Sequence, residues 1–247
     1  MRYFIKLSYK GTKYHGWQYQ PNAITIQEEL EKVFSLLLKQ QIKITGAGRT
    51  DAGVHAINYI AHFDVSEVIT DIESLLYKAN SFLNYDIVIH KIFEVAEDLH
   101  ARFSAISRTY EYRINTEKNP FLKDSSYYVK FNLDFEKMND AAKHLFDYKD
   151  FTSFSKLHTD TKTNNCNIMK AQWNRRGEQM IFTIEADRFL RNMVRAITGT
   201  LLEVGKEKLT IDSFKKIIES KDRGMAGVSV PAHALFLKEI SYPIIIL

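Results

Sequence analysis

From residue 2 to residue 10 an apolar run, Tyr3-Phe4-Ile5, passes into alternation of polar and apolar side chains up to Lys10, a period of two that predicts a strand. The period then lengthens. Thr25-Ile-Gln-Glu28 has the form of a capping box, and behind it Ile26, Leu30, Val33, Phe34 and Leu37 recur at the spacing of one helical face. Further on the pattern predicts strands at 41–45 and 57–65, a helix at 71–83 and a strand at 86–95. A second series follows, with strands at 108–115 and 125–131 and a helix at 134–146. It continues with a hairpin of 168–175 and 180–186 about Gly177, helices at 189–204 and 211–219, and a strand at 234–241. The closing Ser241-Tyr-Pro-Ile-Ile-Ile-Leu247 reads as a buried terminal strand. Both series mix strands and helices in similar order, so the expected fold class is α+β, two α/β sandwich lobes of related design. The division is expected at residues 1–104 and 105–247, with no Pro, Gly or Ser-rich linker between them.

Composition narrows the class without naming it. The 247 residues are 45% hydrophobic and 26% charged, enough for one large core or two small ones. No window approaches the run of about twenty apolar residues needed to span a bilayer, and the alternating N-terminus does not read as a signal peptide. One cysteine, Cys166, excludes an internal disulfide or a multi-cysteine zinc site and fits a cytoplasmic protein. The net charge of +4 and a pI near 8.9 permit a nucleic-acid partner.

Gly46-Ala-Gly-Arg-Thr-Asp-Ala-Gly-Val-His-Ala56 is the stretch that asks for an explanation. It joins two expected strands and is longer than a plain hairpin turn. Glycine-rich loops often hold phosphate, yet here Asp51 stands where a dinucleotide fingerprint would need its third glycine, and no Lys-Ser/Thr pair follows Gly53. Either Asp51 caps the backbone of a glycine turn, or the loop serves other chemistry. A second stretch, Asp187-Arg-Phe-Leu-Arg-Asn-Met-Val-Arg195, would set Arg188, Arg191 and Arg195 along one helical edge. That edge is either a solvated face or a site for phosphate or a carboxylate. In a third, His100-Ala-Arg-Phe-Ser104 running on to Tyr110 and Tyr112, arginines and aromatics interleave. Tyrosines two apart on a strand serve either packing or base stacking, and Trp17 carries the same ambiguity. The eight histidines show no paired ligand spacing, so no metal is expected. Gly-x-Ser-x-Gly is absent, and Cys166 sits in no nucleophile motif.

Together with Tyr9-Lys-Gly-Thr-Lys-Tyr-His-Gly-Trp-Gln18 and Asp150-Phe-Thr-Ser-Phe154, these stretches resemble, in order and spacing, the bacterial tRNA pseudouridine synthases of the TruA type. The likeness covers nearly the whole chain. It implies two lobes of the RRM- or ferredoxin-like kind sharing one extended antiparallel sheet, and a homodimer. It implies isomerisation of uridine to pseudouridine at tRNA positions 38 to 40, in the anticodon stem-loop, with no cofactor. Asp51 would be the nucleophile, Tyr110 would cover the uracil and help process it, and Arg195 would pair with Asp51. Trp17, Arg49, His55, Arg102, Arg188 and Arg191, with Tyr110, are the expected RNA contacts. The chain departs from the family pattern at Lys10 (usually Asp), Asn84 (often Pro), Cys166 (commonly Arg) and Ala234 (commonly Gly). A non-catalytic RNA-binding module remains the alternative, although neither half has the aromatic pattern of an RRM. A hydrolase using Asp51 lacks a second acid in a motif.

Overall fold

The computed structural model describes residues 1–156 and 163–243, so the end of the expected terminal strand, residues 244–247, lies outside the described residues. The strands are β1 (Arg2–Tyr9), β2 (Ile44–Gly46), β3 (His55–Asp64), β4 (Ile87–Val95), β5 (Ser107–Asn115), β6 (Tyr127–Tyr128), β7 (Ile168–Arg176), β8 (Gln179–Ala186) and β9 (Leu235–Ser241). The helices are α1 (Ile26–Leu38), α2 (Ile72–Phe82), α3 (Phe135–Lys143), α4 (Met193–Gly205) and α5 (Ile211–Ser220). They fall into two compact units, Met1–Ile106 together with the chain from Phe236 onward, and Ser107–Leu235. The tail strand thus groups with the first unit, whereas the expected division gave everything after residue 104 to the second.

In the first unit β1 lies between β4 and β3, antiparallel to both. Because β1 occupies one edge of β3 along nearly its whole length, β2 and β9 share the other. β2 pairs antiparallel at Ala61–Phe63, and β9 pairs parallel, His55 with Phe236 and Ala56 with Leu237. The sheet is therefore mixed, not antiparallel throughout. No tight turn dictates the direction of β9, since the chain returns to β3 only after the whole second unit. One sheet face is covered by α1: Phe34 meets Phe63 with ring centroids 4.9 Å apart, and Phe63 stacks on Tyr3 at 5.8 Å. Thr25 accepts the Glu28 N–H at 3.3 Å and Asp71 accepts the Ser74 N–H at 2.9 Å, so both helices start where the capping residues place them. α2 packs on β4.

In the second unit β5, β8 and β7 run antiparallel in that order, with Gly177 at φ +59° in the hairpin turn. The expected strand at 125–131 shrinks to the two residues of β6, parallel to the end of β5. The expected helix at 134–146 is α3, started by Asp134 accepting the Lys137 N–H at 3.0 Å, and a 3-10 turn, His144–Asp147. Tyr112, Phe151, Phe154, Phe182 and Phe214 are fully buried between this sheet and the three helices. Each such side chain stabilises the fold by about 1.5–3 kcal/mol relative to exposure. Among the described residues no helix is long and apolar enough to cross a membrane.

Candidate active site

The loop carrying Asp51 runs from the end of β2 to the start of β3, and buried groups fix it along its length. Ala47 N–H donates to the Ile60 carbonyl at 2.9 Å, and the Tyr59 hydroxyl donates to the Gly48 carbonyl. Tyr9 and Thr50 share a hydroxyl hydrogen bond of 2.9 Å, and the Thr50 carbonyl accepts the Trp17 N–H at 3.3 Å. Asp51 itself accepts, through its carbonyl, the Val54 N–H at 3.1 Å, while Gly53 N–H donates to the Tyr14 carbonyl at 3.2 Å. Two glycines make this clamp possible by close approach. Gly16 has φ +89°, and a Cβ there would stand 2.3 Å from the Thr50 carbonyl oxygen. A Cβ at Gly46 would stand 2.4 Å from the indole nitrogen of Trp17. The glycines therefore serve packing against rings and backbone. Asp51 is held half-buried in their midst, with the exposed Arg49 two residues before it.

Two expected RNA contacts prove to be part of that clamp. Trp17, 3% exposed, stacks on Tyr59 with centroids 4.1 Å apart and offers RNA no open face. His55, equally buried, lies against the Phe236 ring at 4.6 Å, and its Nδ1 accepts the Gly11 N–H at 3.0 Å. Both were expected among the RNA contacts; in the structure both are buried against other rings, Trp17 on Tyr59 and His55 on Phe236. Tyr9 and Tyr59, which sequence reasoning did not single out, fix the loop through hydroxyls on buried rings. For Tyr59 the sequence signal is a tyrosine at an inward strand position, where a buried hydroxyl must find a partner, and Tyr9 in addition opens one of the stretches that carry the resemblance.

In the second unit the arginine edge is not helical. α4 begins only at Met193, because Asn192 takes φ +69° and its side-chain amide donates to Ser229 Oγ at 2.6 Å. Before it the chain is irregular. Asp187 Oδ1 accepts the N–H groups of Asn167 and Arg188, both at 2.8 Å, and the Arg191 carbonyl accepts the Lys156 N–H at 3.0 Å. Arg188 reaches the Thr163 carbonyl at 3.3 Å, and Arg191 is exposed. Arg195, in the first turn of α4, is half-buried. Its Nε donates to the Val230 carbonyl at 2.8 Å, and the Val230 N–H donates back to the Arg195 carbonyl at 3.2 Å. The neighbouring carbonyl, Pro231, accepts the hydroxyl of Tyr112 at 2.9 Å. Burial drives the Tyr112 pKa far above its ordinary value. Tyr112 is thus a core residue. Tyr110, two positions earlier, is half-buried and meets the Phe189 ring edge-on, centroids 5.2 Å apart. Asp51 lies in the first unit, Tyr110 and Arg195 in the second.

His100–Ser104 forms a turn. His100 N–H donates to Ser104 Oγ and Ser104 N–H to the His100 carbonyl, each at 2.9 Å. His100 Nδ1 accepts the Arg102 N–H at 3.0 Å. Ala101 is fully buried. Its N–H donates to His62 Nδ1 at 3.1 Å and its carbonyl accepts the Tyr242 hydroxyl. Burial, reinforced by the charge of Arg2, lowers the His62 pKa to about 4, and the same two causes lower that of His100. Both rings are therefore neutral acceptors at neutral pH. Arg102 is exposed, its guanidinium 5.5 Å from the centre of the Phe103 ring. Of the departures from the family pattern, Cys166 is 2% exposed and burial pushes its thiol up to about 12, so it is not a nucleophile at neutral pH. Asn84 accepts the Asp86 N–H at 3.3 Å, closing the turn into β4 without a proline.

A mixed α/β chain that holds a half-buried carboxylate on a clamped glycine loop, with an exposed arginine two residues before it, has parts suited to an enzyme acting on a polyanion. The family model for tRNA pseudouridine synthases matches residues 6–104 and 141–243, stretches that include Asp51 and Arg195. Over 242 residues the chain is 57% identical to the tRNA pseudouridine synthase A of Parabacteroides distasonis, covering 98% of this chain and 96% of that one. It is 55% identical to the enzyme of the same name from Bacteroides fragilis over 243 residues, with coverages of 98% and 96%. With that of Bacillus subtilis it shares 39% identity over 247 residues, with coverages of 98% and 99%. The chain belongs to the tRNA pseudouridine synthase family.

Proposed function

We propose that the chain converts uridine to pseudouridine at positions 38 to 40 of the tRNA anticodon stem-loop, with Asp51 as the nucleophile. Family membership makes it an isomerase acting on tRNA. The observation that carries the assignment of Asp51 is the clamp: the loop is fixed by Tyr9, Tyr14, Trp17 and Tyr59, yet leaves Asp51 half-buried and not sealed in the core.

Pseudouridine forms when uracil leaves its ribose, turns and reattaches through C5. Atoms are conserved, and no electrons enter or leave. The step does need a nucleophile, and a carboxylate can form a covalent adduct and later release it. A paired or stacked uridine cannot reach a half-buried carboxylate, so the base flips out at a cost of a few kcal/mol. Arg49, Arg102, Arg188 and Arg191, none of them in the core, are proposed to hold phosphates and offset that cost. A bound base would strip water from the Asp51 carboxylate; Arg195 is proposed to offset that loss of solvation and aim the carboxylate. Its guanidinium is anchored at Nε by Val230, which fixes the plane in which its remaining nitrogens lie. Tyr110, propped by Phe189, is proposed to cover the uracil. In the same reading the two units are lobes on one shared sheet, and the enzyme is a cytoplasmic homodimer.

The test is to incubate an unmodified tRNA transcript with the chain and map products by mass and position. Mass-neutral conversion of uridine at positions 38 to 40 is the expected result. Loss of base would mean a hydrolase, and binding without conversion an RNA-binding module.

A further inference from the structure

The turn His100–Ser104 carries a side chain that its own unit does not use. Ala101 is fully buried, but Phe103 is 75% exposed and forgoes the stabilisation that burial would supply. An exposed loop tip is ordinarily mobile. This one is fixed from both ends: Arg2 donates to the Leu99 carbonyl at 2.8 Å, and His62, Tyr242 and Ser104 fix the residues that follow. The groups facing the ring are polar or charged, the His100 imidazole at 4.4 Å and the Arg102 guanidinium at 5.5 Å. A protein partner would be met by a contiguous apolar patch. An exposed ring with a cation and an imidazole beside it suits instead a ligand that is flat on one side and anionic on the other.

We propose that Phe103 is a stacking platform for an unpaired base of the tRNA, with Arg102 beside it engaging the adjoining phosphate. The proposal rests on the reading of the chain as a tRNA-acting enzyme and adds a contact to it. Every base has a π-face, so such a platform holds RNA without choosing a sequence, as suits an enzyme that serves neighbouring positions. A turn whose backbone is already fixed loses little entropy on binding. The Arg102 guanidinium, 5.5 Å from the ring centre, is already close to it before RNA arrives.

Equilibrium binding of an unmodified tRNA transcript by the full chain tests this. Phe103→Ala is expected to weaken binding about tenfold or more, while Phe103→Trp stays within about threefold of the parent. The side chain is exposed, so the thermal midpoint is expected to stay with that of the parent. The slope of log affinity against log salt separates the two side chains. Phe103→Ala should leave it unchanged, whereas Arg102→Gln should reduce it by about 0.7–0.9, one phosphate contact. An Ala variant that binds within about twofold of the parent overturns the platform. So does one whose salt slope falls, since the ring would then serve only to place Arg102. A change of oligomeric state in Phe103→Ala, read by sedimentation, would overturn it in favour of a second copy of the chain as the ring's partner. A parent chain that fails to bind tRNA at all overturns the tRNA reading itself, a result distinct from a parent that binds with an indifferent Phe103.

Discussion

Asp51 sits between two residues whose backbones are spoken for, Thr50 by Trp17 and Gly53 by Tyr14. An isosteric change there should leave the loop in place and remove only the chemistry. Asp51→Asn is expected to abolish turnover while tRNA affinity stays within about tenfold, about 1.4 kcal/mol. Pseudouridine formed at an appreciable rate by a verified pure Asn variant would end the nucleophile assignment. Tyr110 and Tyr112 share a strand but not a role, and one oxygen atom separates the possibilities at Tyr110. After uracil reattaches through C5, the hydrogen on C5 must leave, so a base is needed near the ring. Tyr110→Phe keeps the ring against Phe189 and should keep tRNA binding. Its single-turnover rate is expected to drop roughly 10²–10⁴-fold, the usual contribution of a positioned acid–base group. A rate within about threefold of the parent would leave Tyr110 as a stacking residue only.

At the scale of elements, the Asp loop works because other elements come close to it. Gly16→Ala places a Cβ against the Thr50 carbonyl at a positive φ, and should cost about 1–3 kcal/mol of stability along with much of the activity. Gly48→Ala is the control in the same loop, for a Cβ there meets nothing within 4 Å. Urea midpoints of the two variants, read beside their turnover, check this; equal behaviour would show that the loop is not clamped. What could be read from sequence follows the same distinction between local and distant partners. Thr25, Asp71 and Asp134 announce helix starts because each caps an N–H three residues ahead. The helix α4 starts later than the pattern predicts, because Leu190, Met193, Val194 and Ile197 keep a helical spacing that continues through Asn192. The left-handed turn there is fixed by Ser229, thirty-seven residues away, which no local pattern reveals. β2 and β6 are short for a related reason: their partners, not their own residues, decide where pairing stops. The Asp motif was legible. Which of its neighbours face the substrate was not, since Trp17 and His55 look alike whether they stack on RNA or support the loop from below.

At the scale of the whole molecule, the proposed pair of Asp51 and Arg195 draws on both units and is best tested by a double-mutant cycle. Both residues are half-buried, so Arg195→Ala should cost about 1–3 kcal/mol, less than the roughly 3–5 of a fully buried broken pair. Part of that is the lost bond to Val230, which Asp51→Asn does not touch and the cycle subtracts. A coupling above about 0.5 kcal/mol supports the pair, and additivity argues against it. Stability should also depend on pH through His62, which titrates at about 4 in the fold against 6.5 for the free side chain. Between those values the unfolded chain holds the extra proton. The contribution of His62 is therefore complete above about pH 6.5 and is lost as pH falls toward 4, at up to about 1.4 kcal/mol per unit. His100 acts in the same direction. Urea midpoints from pH 4.5 to 7 should converge toward a flatter line in His62→Gln, whose amide oxygen can still accept the Ala101 N–H; parallel curves would place the acid sensitivity in other groups.

The return of β9 to β3 has a consequence for the order in which the chain becomes competent during synthesis. The exit of the Asp51 loop is closed by Phe236 and Leu237 pairing with His55 and Ala56, and Asn58 donates to the carbonyl of Lys238, 180 residues downstream. A nascent chain emerging from the ribosome presents β3 with that edge open until the entire second unit has been translated. Contacts so distant in sequence form slowly, and an open edge is the part of a growing sheet most exposed to wrong pairing. An unfinished polypeptide thus carries Asp51 without the strand that braces its loop, and translation itself delays the moment at which that loop is fully held.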